Sequence, residues 1–168
     1  MNDPYDRDHS KHIPLPPRWI SRDIKIIYVY GNPSEAAMSL FARGYAALQS
    51  SKNGVLFPVE RNESFESYLE RGEDRLGLTA HLSRWANPEN HRNNVFLVKY
   101  DKLWENTASI ISFLGLDPKS IDLFPERKTR KSCLRDLSER QTVQLRRIYE
   151  RYTSIERSMA DVQFFHKK

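Results

Sequence analysis

Ile24-Lys25-Ile26-Ile27-Tyr28-Val29-Tyr30-Gly31-Asn32-Pro33-Ser34-Glu35 is the stretch on which the fold turns. Apart from Lys25, residues 24–30 are β-branched or aromatic, and the run is short and nearly continuously apolar. That pattern predicts a strand buried on both faces, as in a parallel sheet. Gly31 then permits a tight turn, Asn32 can cap, Pro33 suits the first helical position, and Glu35 falls where a capping box would close. The helix is predicted through Ala36, Met38 and Leu40 to Arg43, with Gly44 at or near its end. Strand, corner and capped helix make half of a βαβ unit. The helix N-terminus then opens at the strand's carboxyl end, where orphan N–H groups and the macrodipole favour phosphate. The geometry is generic, and many α/β domains carry it without binding anything.

Outward from this unit the punctuation is clear. Upstream, Ile13-Pro14-Leu15-Pro16-Pro17 is extended or turned, because proline fixes its own φ and biases its predecessor away from helix. Residues 1–11 are polar and expected to be flexible. Downstream, residues 50–62 read as a surface loop, Ser64 to Arg71 as a helix ending at Gly72, and Leu78 to Trp85 as another stopping before Asn87-Pro88. Asn94 to Tyr100 is predicted as a second buried strand, Asn106 to Leu114 as a helix stopped by Gly115. A final long helix is predicted from Asp136 or Ser138, with Val143, Leu145, Ile148 and Tyr149 on its apolar side. No repeat or low-complexity tract interrupts the chain, which is expected to form a single domain over residues 1–168.

The chain has 168 residues, 39% hydrophobic and 29% charged. Those proportions suit a globular domain with a real core rather than a disordered chain. No apolar run is long enough for a bilayer span, and the acidic N-terminus lacks the apolar core of a secretory signal. The lone Cys133 cannot pair within the chain, which fits a reducing compartment. The expected location is cytoplasmic, without membrane attachment. A net charge of +5 favours anionic ligands without choosing among them. Position narrows it: Arg127-Lys128-Thr129-Arg130-Lys131 gathers four cations in five residues. Such a cluster is often no more than a solvated loop. No interleaved basic and aromatic motif points to nucleic acid.

Three stretches, in order, resemble the cytosolic sulfotransferase family, which moves a sulfuryl group from 3′-phosphoadenosine 5′-phosphosulfate to an alcohol, phenol or amine. His12 to Ser39 is similar to the family's K-T-H-L-P segment, its buried strand, and the R-N-P-x-x-x-x-x-S that grips the donor's 3′ phosphate. His81 to Trp85, then Val95 to Leu116, resemble its H-x-x-x-W, the strand ending in Y-E-D, and the helix leading to F-L-G-L. Arg130-Lys131-Ser132, with Asp136 and the helix to Tyr149, resembles the R-K-G-x-x-G-D-W closing loop. The resemblance covers about residues 10 to 150 and implies an α/β fold: a small parallel sheet flanked by helices, an incomplete P-loop-like sulfotransferase fold.

By the same resemblance His12 falls on the general base that takes the acceptor's proton, a task suited to an imidazole at neutral pH. Ser39 falls on the serine that bonds the 3′ phosphate, Tyr100 on an adenine-side tyrosine, and Arg130 and Lys131 on the pair that pins the 3′ phosphate. Arg43 lies one turn beyond Ser39 on the same helix face and would add a cation. Each has a plainer alternative: an exposed histidine, a solvent-facing helix serine, an aromatic at a strand end. Trp85 and Trp104 are expected in the core.

Departures from the family pattern are substantial. Its donor loop, P-K-S-G-T-T-W, is absent: none of the six glycines is followed by Lys-Ser, Lys-Thr or Thr-Thr. That loop's N–H groups and lysine would hold the 5′ phosphosulfate and the charge developing on it. Gly31 replaces the arginine of R-N-P, and Ser10 stands where K-T-H has its lysine. The implied chain is truncated at the N-terminus, weak or inactive in transfer by itself, with the non-catalytic scaffold binding a nucleotide, polyanion or protein as the alternative. Two parallel strands alone would leave buried backbone groups unpaired, so covering helices, a second copy or a partner chain is expected to complete the sheet. The small-molecule acceptor is left open.

Overall fold

The computed structural model describes residues 23–91, 93–127 and 133–166. β1 (Ile26–Tyr30) and β2 (Val95–Lys99) pair in parallel with Ile26 opposite Val95 and Tyr30 opposite Lys99, as the two apolar runs predict. Between them run α1 (Pro33–Ala42), α2 (Ala46–Lys52), α3 (Phe65–Arg71) and α4 (Leu78–Ala86). α5 (Thr107–Leu114), α6 (Glu139–Ile148), α7 (Glu150–Ser158) and β3 (Val162–Phe165) follow. None of the described helices is long and apolar enough to cross a membrane. The class is α/β, a small sheet flanked by helices.

Four features differ from the sequence expectations. β3 adds a third strand, antiparallel to β2, so the sheet order is β1-β2-β3 and β2 is central. Only β2 is buried on both faces; β1 is half-buried, with Val29 43% exposed, because no described strand covers its outer edge. Part of the stretch expected as loop is α2, whose buried Gln49 and Ser50 face inward. The expected long terminal helix turns at Tyr149, so that α6 lies against α3 while α7 lies against α4.

Alternation along the strands sorts the core into two layers. Ile26, Tyr28 and Tyr30 of β1, with Val95 and Leu97 of β2, meet α1, α3, α4, α6 and α7. Phe96 and Val98 face the other way, onto Ile110, Phe113 and Leu114 of α5. Tyr28 stacks on Trp85 at 4.8 Å, and its hydroxyl lies 2.9 Å from His81 Nδ1. The His81–Trp85 pair, one turn apart on α4, is therefore packed onto the middle of β1. Buried Tyr68 and Tyr149 share a 2.7 Å hydroxyl–hydroxyl bond between α3 and α6.

A second polar network lies beneath the α2–α3 connection. Arg75 pairs with Glu63 and donates from Nε to the Phe57 carbonyl at 3.1 Å and from Nη2 to the Pro58 carbonyl at 2.6 Å. Ser50 Oγ donates to the Arg75 carbonyl and accepts from Val59 N–H at 2.9 Å. The side chains of Arg75 and Glu63 are 6% and 3% exposed, so the loop is tied down by buried, charge-assisted bonds.

Candidate anion-binding site

The carboxyl ends of parallel strands are where an α/β sheet offers ligands a crevice. Here β1 ends in the Gly31 corner and β2 in a short helical turn over Tyr100–Lys102. The two ends lie close: a Cβ built on Gly31 would stand 3.4 Å from Tyr100 Cβ. Any larger side chain at position 31 would have to pass the Tyr100 stem.

α1 begins as the sequence predicts, with a different consequence for anions. Asn32 Oδ1 accepts from Ser34 N–H at 2.9 Å and from Glu35 N–H at 3.3 Å. Pro33 has no N–H, and Ala36 N–H already bonds the Asn32 carbonyl at 3.1 Å. The backbone donors expected to attract phosphate are thus engaged by the helix's own cap, and Glu35 adds a carboxylate to the first turn. Anion binding here has to rely on side chains. Ser39, half-buried, lies six residues past Pro33, about 9 Å along the axis. Arg43 is the exposed C-cap, one turn further, its N–H bonded to the Ser39 carbonyl at 3.2 Å. Glu35, Ser39 and Arg43 follow one another at helical spacing on one face.

On the β2 side, Tyr100 is half-buried and meets Trp104 edge-on, ring centroids 5.3 Å apart at 88°. Trp104 is half-exposed, not the core residue the sequence reading expected. Its indole N–H donates to the Pro125 carbonyl at 2.8 Å, and the Arg127 guanidinium stands 5.6 Å from its ring centre and 3.7 Å from Asp101. The cations of this edge are matched by acids. Lys102 bonds Glu105 at 2.8 Å, and Lys99 bonds Glu156 of α7 at 2.9 Å, an interaction that raises the Lys99 pKa and keeps the ammonium charged. Among the described residues, no group of His, Cys, Asp and Glu could hold a metal ion.

The structure therefore brings the β1–α1 corner and Tyr100 together, with Ser39 and Arg43 further along α1. His12, Arg130 and Lys131 lie outside the described residues. The described residues flanking 128–132 do have known seats: Arg127 against Trp104 and Asp101, and Leu134 half-buried against the core, within a short helical turn (Cys133–Asp136) packed against α1.

Sequence reasoning missed the third party to this site, α7. The Tyr152 hydroxyl donates to the Gly31 carbonyl at 2.8 Å, and the Tyr30 hydroxyl donates to the Ala160 carbonyl, just past α7, at 3.1 Å. Burial pushes both phenols up, Tyr30 to about 12, with Glu156 and the other nearby carboxylate, Asp161, adding to the shift of Tyr30. Both therefore remain protonated donors. The only available signal was the spacing of Tyr149 and Tyr152, which puts Tyr152 on the buried side without naming its partner.

Comparison with curated proteins and with solved structures finds no significant match. The family model described as "Sulfotransferase domain" matches residues 3–164, nearly the whole chain. The chain belongs to the sulfotransferase domain family.

Proposed function

We propose that the strand-end site binds 3′-phosphoadenosine 5′-phosphosulfate or the 3′,5′-bisphosphate left after transfer, and that the isolated chain transfers sulfuryl groups weakly or not at all. The observation that carries this reading is the close approach of the Gly31 corner to Tyr100, flanked by the seats of Arg127 and Leu134. It suits a planar base beside Tyr100 and a phosphate toward α1, where Ser39 and Arg43 supply a hydroxyl and a cation. By family resemblance Arg130 and Lys131 would complete the 3′-phosphate site. In the transfer itself the sulfur–oxygen bond to the donor's 5′ phosphate breaks as the acceptor oxygen bonds sulfur, and His12 would take the acceptor's proton.

The weakness of transfer is argued from charge. The donor-loop sequence is absent and the α1 N–H groups are occupied by Asn32, so little is left to hold the 5′ phosphosulfate. The same observations favour a second reading, a scaffold that binds nucleotide, polyanion or protein without catalysis. A second copy or a partner chain would complete the sheet along the outer edge of β1, which pairs with no described strand.

Calorimetric titration with 3′-phosphoadenosine 5′-phosphate, beside a transfer assay with the sulfated donor, tests both readings. Binding weakened by Ser39→Ala and by Arg130→Ala, with little or no transfer, is the expected result. Absence of binding at millimolar nucleotide would remove the nucleotide site and leave the scaffold.

A further inference from the structure

We propose that Tyr152 of α7 is a positioning residue for the strand-end site, acting through the Gly31 peptide. The inference rests on the nucleotide-binding reading above and adds to it the element that sets the site's dimensions.

Three side-chain ties join α7 and its exit to the carboxyl ends of both parallel strands. Tyr152 holds the Gly31 carbonyl at 2.8 Å, Glu156 holds Lys99 at 2.9 Å, and Tyr30 reaches the Ala160 carbonyl at 3.1 Å. Tyr152 and Glu156 are four residues apart on one helix, so they project from the same face. One grips the end of β1 and the other the end of β2. Spacing between those ends is the spacing between the two halves of the proposed site: the corner that leads α1 away, and Tyr100.

Among the three ties, Tyr152's acts on the corner itself. Gly31 has no side chain, so its peptide is fixed only through the backbone and its neighbours. With the carbonyl held by Tyr152, the Gly31–Asn32 peptide plane is set, Gly31 stays against the Tyr100 stem, and Asn32 is aimed at the Ser34 and Glu35 N–H groups it caps. Tyr152 is 5% exposed, so water cannot readily substitute for its hydroxyl. Its high pKa is a consequence of the same burial and keeps the donor proton in place.

The test is Tyr152→Phe, which removes one oxygen and leaves the ring packing intact, compared with Tyr68→Phe. The control removes a buried hydroxyl bond to Tyr149, which is not among the ties at the strand ends. Three quantities are read: the carbonyl carbon shift of Gly31 by NMR, the melting temperature, and the affinity for 3′-phosphoadenosine 5′-phosphate. For Tyr152→Phe the expected result is a displaced Gly31 carbonyl resonance and an affinity loss of about fivefold or more. Tyr68→Phe is expected to lower the melting temperature comparably while keeping the wild-type Gly31 resonance and nucleotide affinity.

Equal affinity losses in the two variants would overturn the proposal, because stability alone would then explain them. An unchanged affinity in Tyr152→Phe, with wild type binding normally, would overturn it while leaving the nucleotide reading intact. If wild type itself binds no nucleotide, both fall together. Persistence of the Gly31 resonance in Tyr152→Phe would refute the hydrogen bond on which the inference stands.

Discussion

Replacing Asn32 by alanine is expected to make the protein less stable and a better phosphate binder. Asn32 Oδ1 accepts from two N–H groups at the start of α1, those of Ser34 and Glu35. Removing a side-chain N-cap costs about 1 kcal/mol, within a range of roughly 0.5–2. For a chain of this size that lowers the melting temperature by about 2–4 °C per kcal/mol. The freed donors then face solvent at the positive end of a ten-residue helix. A hydrogen bond from an N–H to a charged oxygen contributes about 1.5 kcal/mol or more, so phosphate affinity should rise about tenfold at low salt. Glu35 in the first turn opposes the gain, so Asn32→Ala combined with Glu35→Gln should bind tighter still. Asn32→Ser keeps a capping oxygen and should behave like wild type. Melting curves with and without inorganic phosphate, supported by calorimetry, read both effects. If Asn32→Ala is as stable as wild type, or if it loses phosphate-dependent stabilisation, then the cap does not occupy these donors.

Two further outcomes follow from the core. Glu63→Gln leaves the buried Arg75 guanidinium without its counter-charge, though still bonded to the Phe57 and Pro58 carbonyls. Unfolding stability should fall by about 3–5 kcal/mol, read as a lower denaturant midpoint, and a loss below about 1 kcal/mol would mean that the pair is solvated. His91 carries the pH dependence. It is buried between Trp85 and Phe165, with Nε2 at 2.7 Å from the Trp85 carbonyl and no partner at Nδ1. Burial lowers its pKa below the ordinary 6.5, against the opposing pull of that carbonyl, so the unfolded chain binds the proton more readily. This contribution to stability is therefore complete above about pH 6.5 and falls as the pH drops from there toward the folded value. Melting temperature followed down through this window should decline more steeply in wild type than in His91→Gln; parallel curves would show that His91 does not titrate as a buried group.

Some elements were legible because one local cause decides them. Ser64 caps α3 and Gly72 ends it at φ 70°, Gly115 ends α5 at φ 75°, and Ser138 with Gln141 closes a capping box at α6, all within a few residues of sequence. β2 was legible because both its faces are apolar, a pattern that few other structures accommodate. The fate of β1 was not, since the same apolar pattern serves a central strand and an edge, and neighbours decide which. β3 is only four residues long, and its pairing with β2 depends on a partner more than sixty positions away in the chain. The break at Tyr149 has no proline or glycine to announce it. It follows from two docking demands, α6 on α3 and α7 on α4, that one straight helix cannot meet.

The candidate site divides along the same line. Ser39 and Tyr100 were named from the family resemblance and Arg43 from its helical spacing to Ser39, and the family match over residues 3–164 agrees with the motifs that suggested it. The occupied cap at Asn32 could have been foreseen, since a side chain that caps a helix competes with an anion for the same N–H groups. The ties from Tyr152 and Glu156 could not, because they join residues 121 and 57 positions apart.

Sequence alone determined the parallel strand pair, the boundaries of α1, α3, α4 and α5, and the family, because short-range sterics, capping and hydrophobic periodicity act over a turn or two of chain. The tertiary structure decided which described strand is central, which donors remain open to an anion, and which helix bonds the Gly31 carbonyl. Those depend on which distant groups arrive to satisfy a buried carbonyl or an unpaired strand edge, and local spacing carries no record of that.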